Sequence, residues 1–246
     1  KTSPYSDQKP GTSGLRKKTK AFTEKPNYLE NFVQATFMAL EAVGTDVTDG
    51  ALLIGGDGRF FNDKAIQIIT KLAVANGVKR ILIGENGLLS TPAVSAIIRE
   101  RGPEWQKCFG SFILTASHNP GGPEEDFGIK YNCENGGPAP EKLTNAIYEI
   151  TKTITSLKIC NSFPDVDISK IGKSTVTSLD KSIGVVVEII SSVQQHVDLL
   201  KTIFSFPTLK ALFARKDFSM YYDCMHGVQG PYANAVLVNE LGAPAS

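Results

Sequence analysis

The sequence predicts an α/β fold, and three features predict it. Short runs that read as buried strands recur at Ala51–Ile54, Arg80–Ile83 and Phe112–Leu114. The first two each lead through a glycine-containing loop into a segment with helical apolar spacing, the repeating unit of an α/β sheet. The third breaks into a tight polar loop and recovers as a second short strand, Gly128–Tyr131. With 246 residues, 41% of them hydrophobic, the chain has enough apolar side chain for one or two cores.

Composition narrows the function classes. A net charge of +1 gives no basic surface for nucleic acid and none for a membrane face. No apolar run approaches the ~18 residues of a membrane span, and no apolar signal region follows Lys1. Cys108, Cys133, Cys160 and Cys224 are scattered without a Cys-x-x-Cys spacing, as expected of reduced cytoplasmic thiols rather than of disulfides or zinc ligands. Oligomeric state is not readable.

Taken in order, Lys1–Lys20 is polar and basic. Its turn Pro10-Gly11-Thr12-Ser13-Gly14 precedes Leu15-Arg16-Lys17-Lys18. Glycines there allow close backbone approach to an anion; a solvated basic arm is the plainer alternative. Phe32, Ala35, Thr36, Ala39 and Leu40 recur at helical spacing and predict a helix over Asn27–Ala42. Ala51–Ile54 is followed by Gly55-Gly56-Asp57-Gly58-Arg59 and a helix from Asn62 to about Ala75. Such a loop at a helix N-terminus suits phosphate, yet it is neither the dinucleotide nor the P-loop pattern. Asp57 reads as a turn residue, and Arg59 as a loop contact or a structural ion pair. Residues 84–91 read as a loop, and Pro92 starts a helix to about Arg101. Gly102–Cys108 looks like extra surface loop. A helix from Pro140 to about Thr155 carries Leu143, Ile147, Ile150 and Ile154 on one face. Ser156–Ser182 is polar and turn-rich, the composition of a domain connector. Gly184–Ile190 restarts with a strand, followed by helices over Ser191–Phe204, with His196 off the apolar face and so exposed, and from Pro207 to Ala214. Met220–Asp223 reads as a strand, His226 as a turn residue or a phosphate contact, and Pro231–Leu241 as a helix ended by Gly242. The expected domains are therefore 1–182 and the incomplete opening of a second at 183–246.

Chemistry concentrates in Ile113–Asn132. Ser117 is the candidate nucleophile there, with His118 and Asn119 beside it on the loop and Lys130 returning on the second strand. A serine hydroxyl needs activation. The Gly-x-Ser-x-Gly elbow is absent, and a Ser-His pair adjacent in sequence is not a triad. A phosphorylated Ser117 fits better, because its oxygens would find donors in Lys130, His118, Asn119 and the loop amides. The plainer alternative is a glycine-proline turn with a capping serine.

Thr115-Ala116-Ser117-His118-Asn119-Pro120-Gly121-Gly122 resembles the phosphoserine loop of the α-D-phosphohexomutases. Phe127–Asn132 and Asn135–Glu141 are similar to the glucose-specific branch, the phosphoglucomutases. Gln8–Arg16, Gly55–Arg59, Asn86–Val94 and Met225–Tyr232 agree in order, so the resemblance covers essentially the whole chain.

The resemblance implies a mixed-sheet, three-layer domain I and the start of a similar domain II. It implies an isomerase acting as an intramolecular phosphotransferase: glucose 1-phosphate and glucose 6-phosphate interconvert through phosphoserine and glucose 1,6-bisphosphate. Thr12, Ser13, Arg16, Arg59 and Asn119, with Ser117, His118 and Lys130, would then face the phosphosugar. Ser117, His118 and Lys130 would be catalytic, and Ser117 would carry a magnesium ligand. The family's Asp-Gly-Asp-Gly-Asp-Arg metal loop and its later sugar and phosphate loops are not in this sequence, so the expectation is an N-terminal portion, inactive alone. A non-catalytic, phosphoserine-bearing binding or regulatory relative is the alternative. One local departure stands out: Glu125 replaces the family's usual glycine before Asp126, a loss that matters if that position has positive φ.

Overall fold

The computed structural model describes residues 1–11, 14–99 and 107–244. Thr12, Ser13 and the extra loop up to residue 106 lie outside the described residues. Seven strands, β1 (Leu15–Lys18), β2 (Ala51–Gly56), β3 (Arg80–Leu88), β4 (Cys108–Leu114), β5 (Asp126–Cys133), β6 (Gly172–Thr177) and β7 (Gly184–Ile190), form one sheet in the order β1-β5-β4-β2-β3-β7-β6. The central four are parallel, while β1, β5 and β6 pair antiparallel at the two sides.

Every residue of β2 and β4 is buried, as expected of parallel strands covered on both faces. Alternation sorts their side chains into two cores. Leu52, Ile54, Phe112 and Leu114 face α2 (Tyr28–Ala42), α3 (Asn62–Ala75) and α5 (Glu141–Thr151). Leu53 and Ile113 face α4 (Thr91–Arg99), with Tyr232 joining that side. Each such Leu, Ile or Phe contributes about 1.5–3 kcal/mol on burial. The result is the expected three-layer α/β/α arrangement on a mixed sheet.

The chain departs from expectation mainly where the sequence is polar. The supposed basic arm contains β1 and a short helix, α1 (Thr19–Glu24), with Leu15 and Phe22 in the core. β3 runs on to Leu88 through the stretch expected to be loop. The supposed connector is part of the same unit. Phe163 is buried at 1% exposure, the Cys160 amide donates to Lys71 O on α3, and the Val166 amide donates to the Gln67 side chain. It also supplies β6, whose polar residues fit an exposed edge strand and so carry no alternation signal. β7 does not open a second sheet: it pairs parallel with β3, so the first sheet extends past residue 182 to Ile190.

Beyond β7 lie α6 (Gln194–Ile203), α7 (Phe206–Phe213), α8 (Gln229–Ala233) and a π-helical turn at Asn234–Glu240. Met220–Asp223 is not a strand. It has no ladder partner among the described residues, and Tyr221 is fully exposed. His196, expected to be exposed, is half-buried edge-on to Tyr232, with ring centroids 5.5 Å apart; desolvation lowers its pKa.

The placement of Phe163 is directly testable. Phe163→Ala should destabilise the chain by about 3–5 kcal/mol in urea unfolding. An unchanged midpoint would return residues 156–182 to the status of a linker.

Candidate active site

β2 and β4 are neighbours, but the chain leaves β2 for β3 on one side and later returns to β4 on the other. Open α/β sheets bind ligands at the carboxyl ends of strands where the strand order reverses in this way. Gly56 and Leu114 are register partners at that end. Asp57 follows the first and the Ser117 loop follows the second. The approach is close enough to require glycine: a Cβ on Gly56 would sit 2.3 Å from Leu114 O, and one on Gly128 would sit 2.2 Å from Thr115 O.

A closed set of hydrogen bonds shapes the loop. The Ser117 amide donates to Thr115 Oγ1 at 3.0 Å. The Thr115 hydroxyl donates to Asp57 Oδ2 at 2.7 Å. Arg59 Nε donates to the same carboxylate oxygen at 2.9 Å. The Arg59 guanidinium then reaches Ser117 O at 3.0 Å, Asp126 O at 3.0 Å and Pro120 O at 3.1 Å. Arg59 and Asp57 side chains are only 8% and 15% exposed. Ser117 itself is exposed and left-handed, with φ 56°.

Arg16, on β1, faces this loop. It donates to Ser117 Oγ at 3.0 Å and, at 3.5 Å, to Asn119 Oδ1. Asn119 Nδ2 donates to Asp126 Oδ2 at 2.6 Å, and Lys18 Nζ lies 3.0 Å from Asp126 Oδ1. The Asn119 hydrogen bond and then the Lys18 ammonium lower the Asp126 pKa. Lys18 also pairs with Glu125, and Thr19 donates to the Glu125 carbonyl through both its amide and its hydroxyl. Glu125 is not among the positive-φ residues, so replacing glycine there introduces no left-handed strain.

Lys130 shares a strand face with Gly128, the register partner of Arg16. It is half-buried, and desolvation followed by repulsion from Arg16 lowers its pKa. His118 is exposed on the loop. The structure thus brings Arg16, Ser117 and Asn119 into hydrogen-bond contact, with Lys130 beside Arg16. Arg59 is both the loop contact and the ion pair that its residue context suggested: it makes four donor contacts to the loop, the start of β5 and the Asp57 carboxylate. Asp57 and Thr115 were not singled out as functional. Asp57 reads as an ordinary turn residue because the partner that reveals it, Thr115, lies 58 positions away. His226 sits in an exposed turn at φ 57°.

The expected metal has only part of a site. No three His, Cys, Asp or Glu side chains converge among the described residues. Asp57 and Asp126 are already engaged by Arg59 and Lys18. Ser117 offers a single oxygen, and a magnesium ion requires about six.

The family model described as phosphoglucomutase/phosphomannomutase, alpha/beta/alpha domain I, matches residues 7–158. The chain belongs to the phosphoglucomutase/phosphomannomutase family. Among its relatives, the Arabidopsis thaliana protein named "Probable phosphoglucomutase, cytoplasmic 2" is 58% identical over all of this chain and 41% of that protein. The cytoplasmic phosphoglucomutase of Solanum tuberosum is 56% identical over the same shares. The open form of pp63/parafusin from Paramecium, titled an exocytosis-sensitive phosphoprotein and phosphoglucomutase, superposes with a TM-score of 0.90 at 46% identity. It covers 99% of this chain and 43% of that one. This family member therefore spans about two fifths of the length of the curated relatives it matches.

Burial of the Lys130 ammonium has a pH signature. Its folded pKa lies below the unfolded value of about 10.4, so in the window between them the unfolded state binds more protons and stability rises with pH. Measured against Lys130→Met by urea unfolding, the wild-type chain should gain stability as pH rises toward about 10.4. A difference that stays flat with pH would show that this ammonium is not desolvated.

Proposed function

We propose that this chain is the phosphoserine-bearing portion of a phosphoglucomutase that interconverts glucose 1-phosphate and glucose 6-phosphate. One observation carries the reading: an exposed Ser117 hydroxyl on a loop fixed from below, with the Arg16 guanidinium 3.0 Å from its oxygen. In this reading Ser117 carries the phosphoryl group. A hydroxyl oxygen of the sugar phosphate attacks that phosphorus; the new O–P bond forms as the Ser117 Oγ–P bond breaks. The sugar hydroxyl loses a proton and Ser117 Oγ gains one. The product, glucose 1,6-bisphosphate, reorients, and Ser117 takes back the phosphoryl group from the other position.

Arg16, with Thr12 and Ser13, holds phosphate oxygens. Proton transfer falls to Lys130 and His118 jointly. The lowered Lys130 pKa favours this role, because a general acid-base works best when its pKa is near the working pH. Arg59 and Asn119 act on the substrate by holding the loop and orienting Arg16. A magnesium ion would supply charge neutralisation to the phosphoryl group. The described residues fit it at Ser117 alone, and we place its other ligands in the length that the relatives have beyond this chain. We place the domain II boundary after β7, and the protein in the cytoplasm, as its relatives are named. No helix among the described residues is long and apolar enough to cross a membrane.

Two experiments test the reading. In the full-length protein, Ser117→Ala should abolish stable phosphate labelling and lower turnover by roughly a thousandfold or more, the order of effect when a nucleophile is removed. Normal turnover with labelling elsewhere would move the nucleophile away from Ser117. The 246-residue chain alone, assayed with glucose 1-phosphate, magnesium and glucose 1,6-bisphosphate, should show no turnover. Activity comparable to a full-length mutase would mean that the charge-neutralising machinery lies within these residues. Stable labelling of full-length protein without turnover would favour the binding or regulatory alternative.

A further inference from the structure

We infer that Thr115 and Asp57 are positioning residues for phosphoryl transfer: together they hold Ser117 in its left-handed backbone conformation and so fix the direction of Oγ. The inference rests on the phosphoserine reading of Ser117.

Ser117 is a non-glycine residue at φ 56°. Side chains rarely occupy that region, and when they do at a functional site the surrounding structure must over-determine it. Here the constraint comes from both sides of the residue. On its N-terminal side, the Ser117 amide donates to Thr115 Oγ1 at 3.0 Å. On its C-terminal side, the Ser117 carbonyl accepts from Arg59 at 3.0 Å. Both anchors converge on one carboxylate oxygen, Asp57 Oδ2, which accepts from the Thr115 hydroxyl at 2.7 Å and from Arg59 Nε at 2.9 Å. The Thr115 hydroxyl has one proton. Donating it to Asp57 leaves its lone pairs for the Ser117 amide, so the carboxylate sets the direction of the whole relay. Asp57 is itself fixed at the end of β2, its amide donating to Leu114 O at 3.0 Å. None of these groups needs to touch the sugar. Their effect is to hold Ser117 Oγ in line with an incoming hydroxyl, a geometry whose loss by about 1 Å can cost on the order of a hundredfold in rate.

A merely structural role predicts something else: loss of stability, with any remaining folded protein turning over normally. The test therefore compares isosteric and conservative variants of the full-length protein. Thr115→Val removes the hydroxyl at nearly constant shape, Thr115→Ser keeps it, and Asp57→Asn removes the charge while leaving an acceptor. Each is followed by thermal unfolding, by steady-state kinetics with glucose 1-phosphate, and by single-turnover transfer of labelled phosphate from Ser117. Thr115→Val should remain folded, lower kcat by roughly 10- to 100-fold, leave KM within about twofold of wild type, and slow single-turnover transfer to the same extent. Asp57→Asn leaves Arg59 uncompensated and should also lose stability, but its folded fraction should show the same slowed single-turnover transfer; Thr115→Ser should keep most of the wild-type rate. Two results would overturn the inference while leaving the phosphoserine reading intact: wild-type single-turnover transfer in folded Thr115→Val, or equal impairment in Thr115→Val and Thr115→Ser, each with Ser117→Ala inactive. An active Ser117→Ala would instead remove the reading on which the inference rests.

Discussion

The buried pairing of Arg59 with Asp57 is the interaction on which the rest of the site depends. Two charges withdrawn from water gain net stability only if their remaining donors and acceptors are satisfied. Arg59 meets that condition on its side by spending its other contacts on the carbonyls of Ser117, Pro120 and Asp126, whereas Asp57 Oδ1 is buried with no hydrogen-bond partner among the described residues. One side chain from the β2 loop thereby fastens two points of the loop between β4 and β5 and the first residue of β5. Removing either charge would leave the other uncompensated, a change that costs about 3–5 kcal/mol at buried pairs. A lysine could not replace Arg59, because a point ammonium lacks the planar fork that reaches a carboxylate and three carbonyls together.

The sheet explains why these groups meet at all. β2 and β4 lie side by side, parallel and in register at Gly56 and Leu114, so the loops leaving them emerge together. The contact is tight because Gly56 and Gly128 present no Cβ toward Leu114 O and Thr115 O. β5 then returns beside β4 and brings Lys130 back to the same end, while β1 pairs with β5 and brings Arg16. Four segments remote in sequence, near residues 16, 57, 117 and 130, become one surface through strand order alone.

That geometry also marks where the sequence was legible. β2 and the end of β4 announce themselves as apolar runs because both of their faces are buried, and α2 and α3 announce themselves by helical spacing. The Ser117 loop was legible because a serine, an imidazole and an amide sit between two strands among glycines and prolines. β1 and β6 carry no such pattern. β6 is an exposed edge, and β1 alternates only Leu15 inward among cations. That β7 belongs to the first sheet is equally silent in sequence, since Gly184–Ile190 reads as a buried strand whichever sheet receives it. Asp57 and Thr115 were missed for a related reason. An aspartate in a glycine turn has an adequate local explanation, and only the fold shows that its carboxylate is spent on another loop.

The charges around the loop separate into two kinds, and the difference bears on function. Lys18 meets Glu125 and Asp126, and Lys20 meets Glu124; these pairs tie the end of β1 and the start of α1 to the flank of the loop. Such exposed pairs contribute little to stability, and they leave those lysines with less positive charge to offer a ligand. Arg16 and Lys130, on the face nearest Ser117, make no direct ion pair with a carboxylate among the described residues; Asp126 feels Arg16 only at longer range, and repulsion from Arg16 helps to lower the Lys130 pKa. Two cations held together without a directly paired carboxylate are unfavourable in the protein by itself and favourable toward a dianion placed between them. A phosphoryl group on Ser117 would be such a dianion. On the proposed reading, the acidic side chains on the loop flank neutralise the cations that only shape the loop, and the cations left unneutralised are those that would hold the transferring group.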